Sequence, residues 1–308
     1  MSGTIETFAK SDHGRDAVER LMLDRQRDGA VSWTMAETPT HFVLTVKPPV
    51  PARTATRLGG AGALEHLAAL EAPMPVSDLD EPALRELQVA LGLLGYPVGR
   101  IDGAFGPRTR NAWAEFKTDV LPGNPGLVGP EAVATLRERL RSLPSLGAPD
   151  LGSREATIAA IRDECIAQRV GLPAQVAYVL ATTQWETAKT FRPVKEAFWK
   201  SEAWRRDNLR YFPFYGRGYV QLTWKTNYET YSNLLGVDLV ADPDLALDPP
   251  TSLFVLVHGF KTGTFTGRKI TDFIDAGRTD FVNARRCING MDNAHAIAEL
   301  AEAFLVTS

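Results

Sequence analysis

"PAQVAYVLATTQWETAK" occupies residues 173–189. Val176, Val179, Leu180 and Thr183 recur at spacings of three and four, which wraps one apolar face around a helix instead of alternating it across a strand. Residues 154–169, 251–260, 269–276 and 292–305 show similar helical patterns between Gly and Pro turns. The expected class is therefore mainly α. Glu186 closes the apolar run, beside Trp185.

Upstream, "SLPSLGAPDLGS" at 142–153 reads as a hinge, which gives a linker at 143–152 and a larger helical domain at 153–308. A second composition shift, to Pro, Ala, Thr and Gly, marks a linker at 51–78, with a brief apolar helix expected at about 63–71. Residues 1–50 form a leader whose role the sequence does not reveal; helical spacing is seen over 14–28 and a short strand over 41–46.

The segment between the linkers, 79–142, carries a compact three-helix pattern. Asp80 is placed to cap a helix with Pro82 in its first turn; Leu84, Leu87, Leu91 and Leu94 share one face, and Gly95 stops it. "GPRTRNAW" (106–113) and "GPEAVATL" (129–136) each set Gly-Pro before a further helix. "YPVGRIDGAFG" (96–106) puts Asp102-Gly103 in a turn, with Phe105 expected to plug the bundle.

Leu87-Gln88, Leu94 to Tyr96, Asp102 to Gly106, Thr109, Ala112 and Phe116 together resemble the peptidoglycan-binding domain family; Lys117 departs from it, standing where Gln is frequent. The resemblance implies bacterial peptidoglycan as a partner.

Composition narrows the chemistry. The 308 residues are 44% hydrophobic with a net charge of −3, so no basic field awaits nucleic acid. No stretch is apolar enough for membrane insertion, and the N-terminus lacks the pattern of a signal peptide, so synthesis in the host cytoplasm is expected. Cys165 and Cys287 read as reduced packing thiols. The five histidines form no His-x-x-x-His pair, and neither a metal nor a cofactor is expected.

Hydrolysis then falls to carboxylates. Glycosidic cleavage needs one acid for the leaving oxygen and, for inversion, one base for water, about 6.5–9.5 Å apart. Glu186 is expected as the acid, with Trp185 as part of an apolar wall that would favour its protonated form. Glu196, beyond Pro193, is expected as the second carboxylate, with Glu202 in reserve. "FYGRGYVQLTWKTNY" (214–228) follows, rich in rings and amides that suit sugar faces and hydroxyls. Tyr219, Trp224 and Tyr228 are as readily core residues as sugar contacts, and Arg217 reads as structural, pairing with a neighbouring acid. Arg285 and Arg286 are left open between the two roles.

Trp185-Glu186-Thr187, Tyr215 to Thr223 with Asn227-Tyr228, and Ile288-Asn289-Gly290 resemble, in order, the motifs of glycoside hydrolase family 19, nearest its phage-type lysozyme branch. Trp185 replaces a usual His, and "NGMDNA" departs from the fuller Asn-Gly-Gly-x-Asn-Gly turn. The resemblance implies a lysozyme-like fold, catalysis by Glu186 and Glu196, and substrate contacts from Tyr215, Gln221, Thr223, Asn227 and Asn289. The two resemblances together describe a monomeric endolysin that cuts β-1,4 bonds of peptidoglycan after release through a separate holin. A chitinase and a non-catalytic wall-binding virion protein are the alternatives.

Overall fold

The computed structural model describes residues 4–10, 32–47, 64–120, 123–143 and 151–306. The chain forms two compact units, Met1–Thr54 with Ala197–Phe212, and Ala55–Glu196 with Pro213–Ser308. In chain order the first elements are β1 (Thr4–Ala9), β2 (Ser32–Glu37), β3 (His41–Lys47), α1 (Glu65–Ala68) and β4 (Met74–Pro75). α2 (Glu81–Leu93), α3 (Pro107–Val120), β5 (Leu127–Val128), α4 (Pro130–Arg141), α5 (Arg154–Ala167) and α6 (Pro173–Glu186) follow. The remainder is β6 (Val194–Lys195), α7 (Glu202–Asn208), β7 (Arg217–Gly218), α8 (Lys225–Leu235), α9 (Pro249–Thr262), α10 (Phe281–Ala284) and α11 (Ala294–Val306). The class is mainly α, as the helical periodicity predicts.

In the first unit, β3 runs between β1 and β2, antiparallel to both, with Thr4 opposite Val46 and Ser32 opposite Lys47. The strand expected at 41–46 is thus the centre of a sheet, whereas the helix expected over 14–28 lies outside the described residues. α7 belongs to the same unit although it is distant in sequence. Ser201 caps it by accepting the Trp204 N–H, and buried Arg205 donates to the Ala197 carbonyl at 2.9 Å. No local signal in 197–212 announces that association.

The second unit holds the rest. α1 spans Glu65–Ala68, inside the brief helix expected at about 63–71. Asp80 caps α2 through the Ala83 N–H at 2.9 Å, with Pro82 in the first turn, as expected. Gln88 is fully buried and organises the next turn: its Nε2 donates to Asp102 Oδ1, the Ala104 carbonyl and Thr109 Oγ1, and its Oε1 accepts from the N–H groups of Asp102 and Gly103. These bonds draw the polar side of the turn inward and leave Phe105 38% exposed. The expected plug is therefore not Phe105. Trp113 and Phe116, stacked at 5.3 Å, fill the bundle with Tyr96 edge-on to Phe116 at 5.7 Å.

Deeper in this unit, α6 lies along α11, and α10 packs on α11 as well. Tyr178 of α6 is fully buried, stacked on Phe281 and edge-on to Phe260. The helix expected over 269–276 is not formed; only a 3-10 turn, Ile270–Asp272, appears, followed by a bridge between Ile274 and Thr279. The cause is local. The Asp275 N–H donates to the Arg278 carbonyl and the Asp280 N–H to the Phe273 carbonyl, while Asp275 Oδ1 accepts the Gly277 N–H, so the chain folds back as a turn after Asp272.

Candidate active site

The predicted residues fall into two hydrogen-bonded clusters. The first forms where α6 ends. Thr183 and Thr187, both buried, donate to the carbonyls of Val179 and Thr183, and Thr187 Oγ1 accepts the Phe191 N–H, which fixes the exit of the chain. Ala188 and Lys189 then turn with φ of 48° and 69°, and the helix cannot continue. Glu186 is left at the negative end of the helix dipole, where a cation is stabilising.

Arg285 supplies it. Its Nη1 donates to Glu186 Oε1 at 2.8 Å, with the side chains 4% and 18% exposed respectively. Arg285 Nε donates to the Asp292 carbonyl, and the Arg285 carbonyl accepts the Asn289 N–H at 3.0 Å, so one 3-10 turn (Arg285–Cys287) anchors both Glu186 and Asn289. Asn289 itself is exposed, its Oδ1 accepting the Gly290 N–H. The expectation of an apolar wall around Glu186 is corrected here: Trp185 is 39% exposed, and the partner at the carboxylate is a guanidinium. Sequence reasoning left Arg285 open because its partner lies 99 residues away.

The second cluster is built on the β6–β7 pair, where Val194 faces Gly218 and Lys195 faces Arg217. The pairing extends by one residue: Glu196 N–H donates to the Gly216 carbonyl at 2.7 Å, and the Gly216 N–H donates back to Glu196 Oε2 at 2.8 Å. A Cβ on Gly216 would lie 2.6 Å from Gln221 Oε1 and 3.2 Å from Glu196 Oε2, so a side chain here would have to displace the Gln221 amide beside the carboxylate. Gln221, Thr223 and Asn227 each donate to backbone carbonyls of their own region: Gln221 to Val194, Thr223 to Gln221, and Asn227 to Thr223. Their donors shape the loop in this conformation.

Tyr215, expected among the substrate contacts, is fully buried, with the Arg217 guanidinium 3.7 Å from its ring centroid. Its ring supports the loop from beneath. Tyr219 and Tyr228 are buried too, and burial pushes the Tyr228 phenol up to about 12. Trp224, in contrast, is exposed.

Arg217 has the structural role expected of it. It pairs with Asp244 at 2.8 Å, and Lys195 reaches the other oxygen of the same carboxylate at 2.8 Å. Burial pushes the Asp244 carboxyl up, but the charges and hydrogen bonds of Lys195 and Arg217 outweigh it and hold the group below its ordinary value. Asp244 escaped the sequence analysis because it lies in "ADPDLALDPP", where an acid reads as a turn residue.

Glu202, the reserve carboxylate, belongs to the other compact unit and pairs there with Arg205 at 3.1 Å. Among the described residues no group of His, Cys, Asp and Glu is arranged to hold a metal, and no helix is long and apolar enough to cross a membrane. Cys165 and Cys287 are buried free thiols, and burial raises both, Cys287 to about 12.

Residues 146–264 match the family described as chitinase class I, and this segment is a glycoside hydrolase domain of family 19. It holds Glu186, Glu196 and the whole 214–228 loop and stops short of Arg285 and Asn289. Chitinase 11 of Oryza sativa subsp. japonica is 50% identical over 42 residues, 14% of this chain and 16% of that protein. Chitinase 8 of the same plant is 58% identical over 33 residues, 11% and 13% of the two chains. An endochitinase of Arabidopsis thaliana is 44% identical over 41 residues, 13% and 15%. The chain thus spans no more than 16% of the length of these relatives. No solved structure gives a significant match.

Proposed function

We propose that this chain hydrolyses β-1,4 bonds between amino sugars of bacterial peptidoglycan, with Glu186 as general acid and Glu196 as general base. The observation that supports it best is the fixing of two carboxylates inside a segment that matches a glycosidase family, one by Arg285 and one by the Gly216 N–H. Arg285 occupies Glu186 Oε1, which leaves Oε2 as the oxygen to carry the proton to the bridging oxygen of the glycan. When that proton departs, the new negative charge already faces a guanidinium, so no reorganisation is needed at the moment of reaction. Glu196, held by the backbone at Oε2, orients a water towards the anomeric carbon.

Peptidoglycan is preferred as substrate because Gln88, Asp102, Gly103 and Phe116 of the three-helix segment follow the wall-binding pattern. Holding the domain on its polymer raises the local substrate concentration. Release from the host cytoplasm by a separate holin, and action as a monomer, complete the endolysin reading. Chitin is the second reading, favoured by relatives whose names are chitinase and endochitinase.

The test is a digest of purified bacterial walls and of chitin, analysed by mass spectrometry for new reducing ends. The expected result is reducing ends from walls, an inverted anomer by early NMR, and a loss of about 10²–10⁴ in rate for Glu186→Gln. Soluble sugar from chitin and none from walls would reverse the substrate order. New amines without reducing ends, or an undiminished Glu186→Gln, would end the glycosidase reading.

A further inference from the structure

Two hydroxyls buried on α6 make no hydrogen bond. Tyr178 Oη and Thr182 Oγ1 belong to fully buried side chains, and neither finds a partner among the described residues. A buried hydroxyl left unpaired is costly, so each one in a folded protein asks for an account. Thr182 is the more telling of the two. A threonine inside a helix can donate to the carbonyl four residues back, as Thr183 does to Val179 and Thr187 to Thr183. Thr182 makes no such bond, so its oxygen serves nothing in its own helix.

The position of the pair narrows its use. Tyr178, Thr182 and Glu186 are spaced by four, one turn above another along a single stripe of α6. The Tyr178 ring stacks on Phe281, 12° from parallel, and Arg285, four residues beyond Phe281, reaches Glu186. The same two segments therefore meet at both ends of the stripe, with Thr182 between. Burial pushes the Tyr178 phenol up and the nearby Arg285 guanidinium draws it down, while Cys287, Thr182 and Glu186 also lie close enough to bear on it. Yet no hydrogen bond of acceptable geometry joins Tyr178 to Thr182. Arg285 uses Nε on the Asp292 carbonyl and Nη1 on Glu186; its Nη2 has no partner among the described residues, although the side chain is only 4% exposed.

We propose that Tyr178 and Thr182 jointly hold one enclosed water behind the Arg285–Glu186 pair and so act as positioning residues for the acid. Donors and acceptors balance. Two hydroxyl oxygens and one guanidinium N–H are left over, and a single water offers two donors and an acceptor, the usual complement of about three bonds for a buried water. Such a bridge is nearly as favourable as a direct hydrogen bond. Fastened from behind, the guanidinium keeps hold of Glu186 Oε1 and leaves Oε2 to face the glycan. The positioning role rests on the glycosidase reading above, whereas the water site does not.

Tyr178→Phe and Thr182→Val each delete one oxygen and keep the shape of the side chain. Idle hydroxyls would make both changes neutral for turnover and raise Tm, because an unpaired buried group is removed. The expected result is different: kcat for reducing-end release from soluble wall fragments falls about five- to tenfold in each variant, with KM little changed and Tm no higher than the parent's. The double variant loses no more than either single one, since one water serves both oxygens. Thr182→Ser, which keeps the hydroxyl, recovers the parent kcat. A high-resolution crystal structure of the wild type shows the water within hydrogen-bond distance of both oxygens and of Arg285 Nη2, and Thr182→Val lacks it. Unchanged kcat with a raised Tm in either single variant overturns the proposal. So does a direct Tyr178–Thr182 hydrogen bond in the crystal with no water beside it, a measurement that stands even where a variant folds poorly. Losses that multiply in the double variant would mark two separate packing defects and overturn it as well. A wild type that holds the water but releases no reducing ends removes the glycosidase reading, and the positioning role with it, while the water site remains.

Discussion

The three-helix segment at 79–142 and the loop at 214–228 are the two places where the sequence carries its densest motifs, and the structure uses them differently. In the helical segment the motif residues face inward. Gln88 satisfies four polar groups of the Asp102 turn and bonds Thr109 as well, and Phe116 is core. In the loop, Tyr215, Arg217 and Tyr228 face inward in the same way, but Trp224 stays outside. A motif can therefore encode a fold in one region, and in the other a fold that presents something.

The three-helix segment also packs against elements that follow the loop, within one compact unit. His258 of α9 donates from Nε2 to the Gly92 carbonyl of α2 at 2.9 Å, and Lys269 pairs with Glu115 at 3.2 Å. A Cβ at Gly92 would come within 2.7 Å of Leu234 Cδ2, so α2 seats closely on α8 at a glycine. The segment read as a tethered anchor is in contact with the helix that begins at Trp224.

The sharpest way to break the comparison is to remove the buried charge beneath the loop. Asp244→Ala strands Arg217 and Lys195, and a loss of about 3–5 kcal/mol is expected in urea unfolding at neutral pH. The sign with pH follows from the depressed carboxyl: its stabilisation is present above the unfolded value of about 3.9 and fades as pH falls through the lower folded value. The gap between wild type and Asp244→Ala should therefore close in acid. An unchanged gap from pH 7 down to the acid transition would show that the pair contributes little.

Next comes Arg285→Lys, which keeps a charge but loses the planar fork that joins Glu186 to the Asp292 carbonyl. A fall in kcat of roughly 100-fold with little change in Tm is expected. Gln88→Ala tests the other region: the Asp102 and Gly103 N–H groups lose their acceptor, and about 2–3 kcal/mol of stability should go. Its effect on turnover per folded molecule should be small, and a large one would mean that the helical segment reaches the chemistry. The smallest effect belongs to Phe105→Ser, expected within about 0.5 kcal/mol, because the side chain is not the plug that its motif suggests.

Legibility followed the range of the forces. Helices built on a 3.6-residue period, the Asp80 cap and the Pro82 turn were readable because the interactions that make them lie within a few residues. The helix expected at 269–276 failed where the chain folds back on itself, with Ile274 bridging to Thr279 and the Asp275 N–H on the Arg278 carbonyl, a turn that apolar spacing does not reveal. Glu186 and Glu196 were visible as residues, but their partners were not.

The sequence alone determined the helical class, the caps and turns, and which side chains were available for chemistry, since propensity and periodicity act locally along the chain. Only the tertiary structure decided that Arg285 meets Glu186 across 99 residues, that Asp244 lies between Lys195 and Arg217, that Tyr215 is core, and that Trp224 is exposed. Burial and ion pairing are properties of neighbours in space, and the chain brings those neighbours together only on folding.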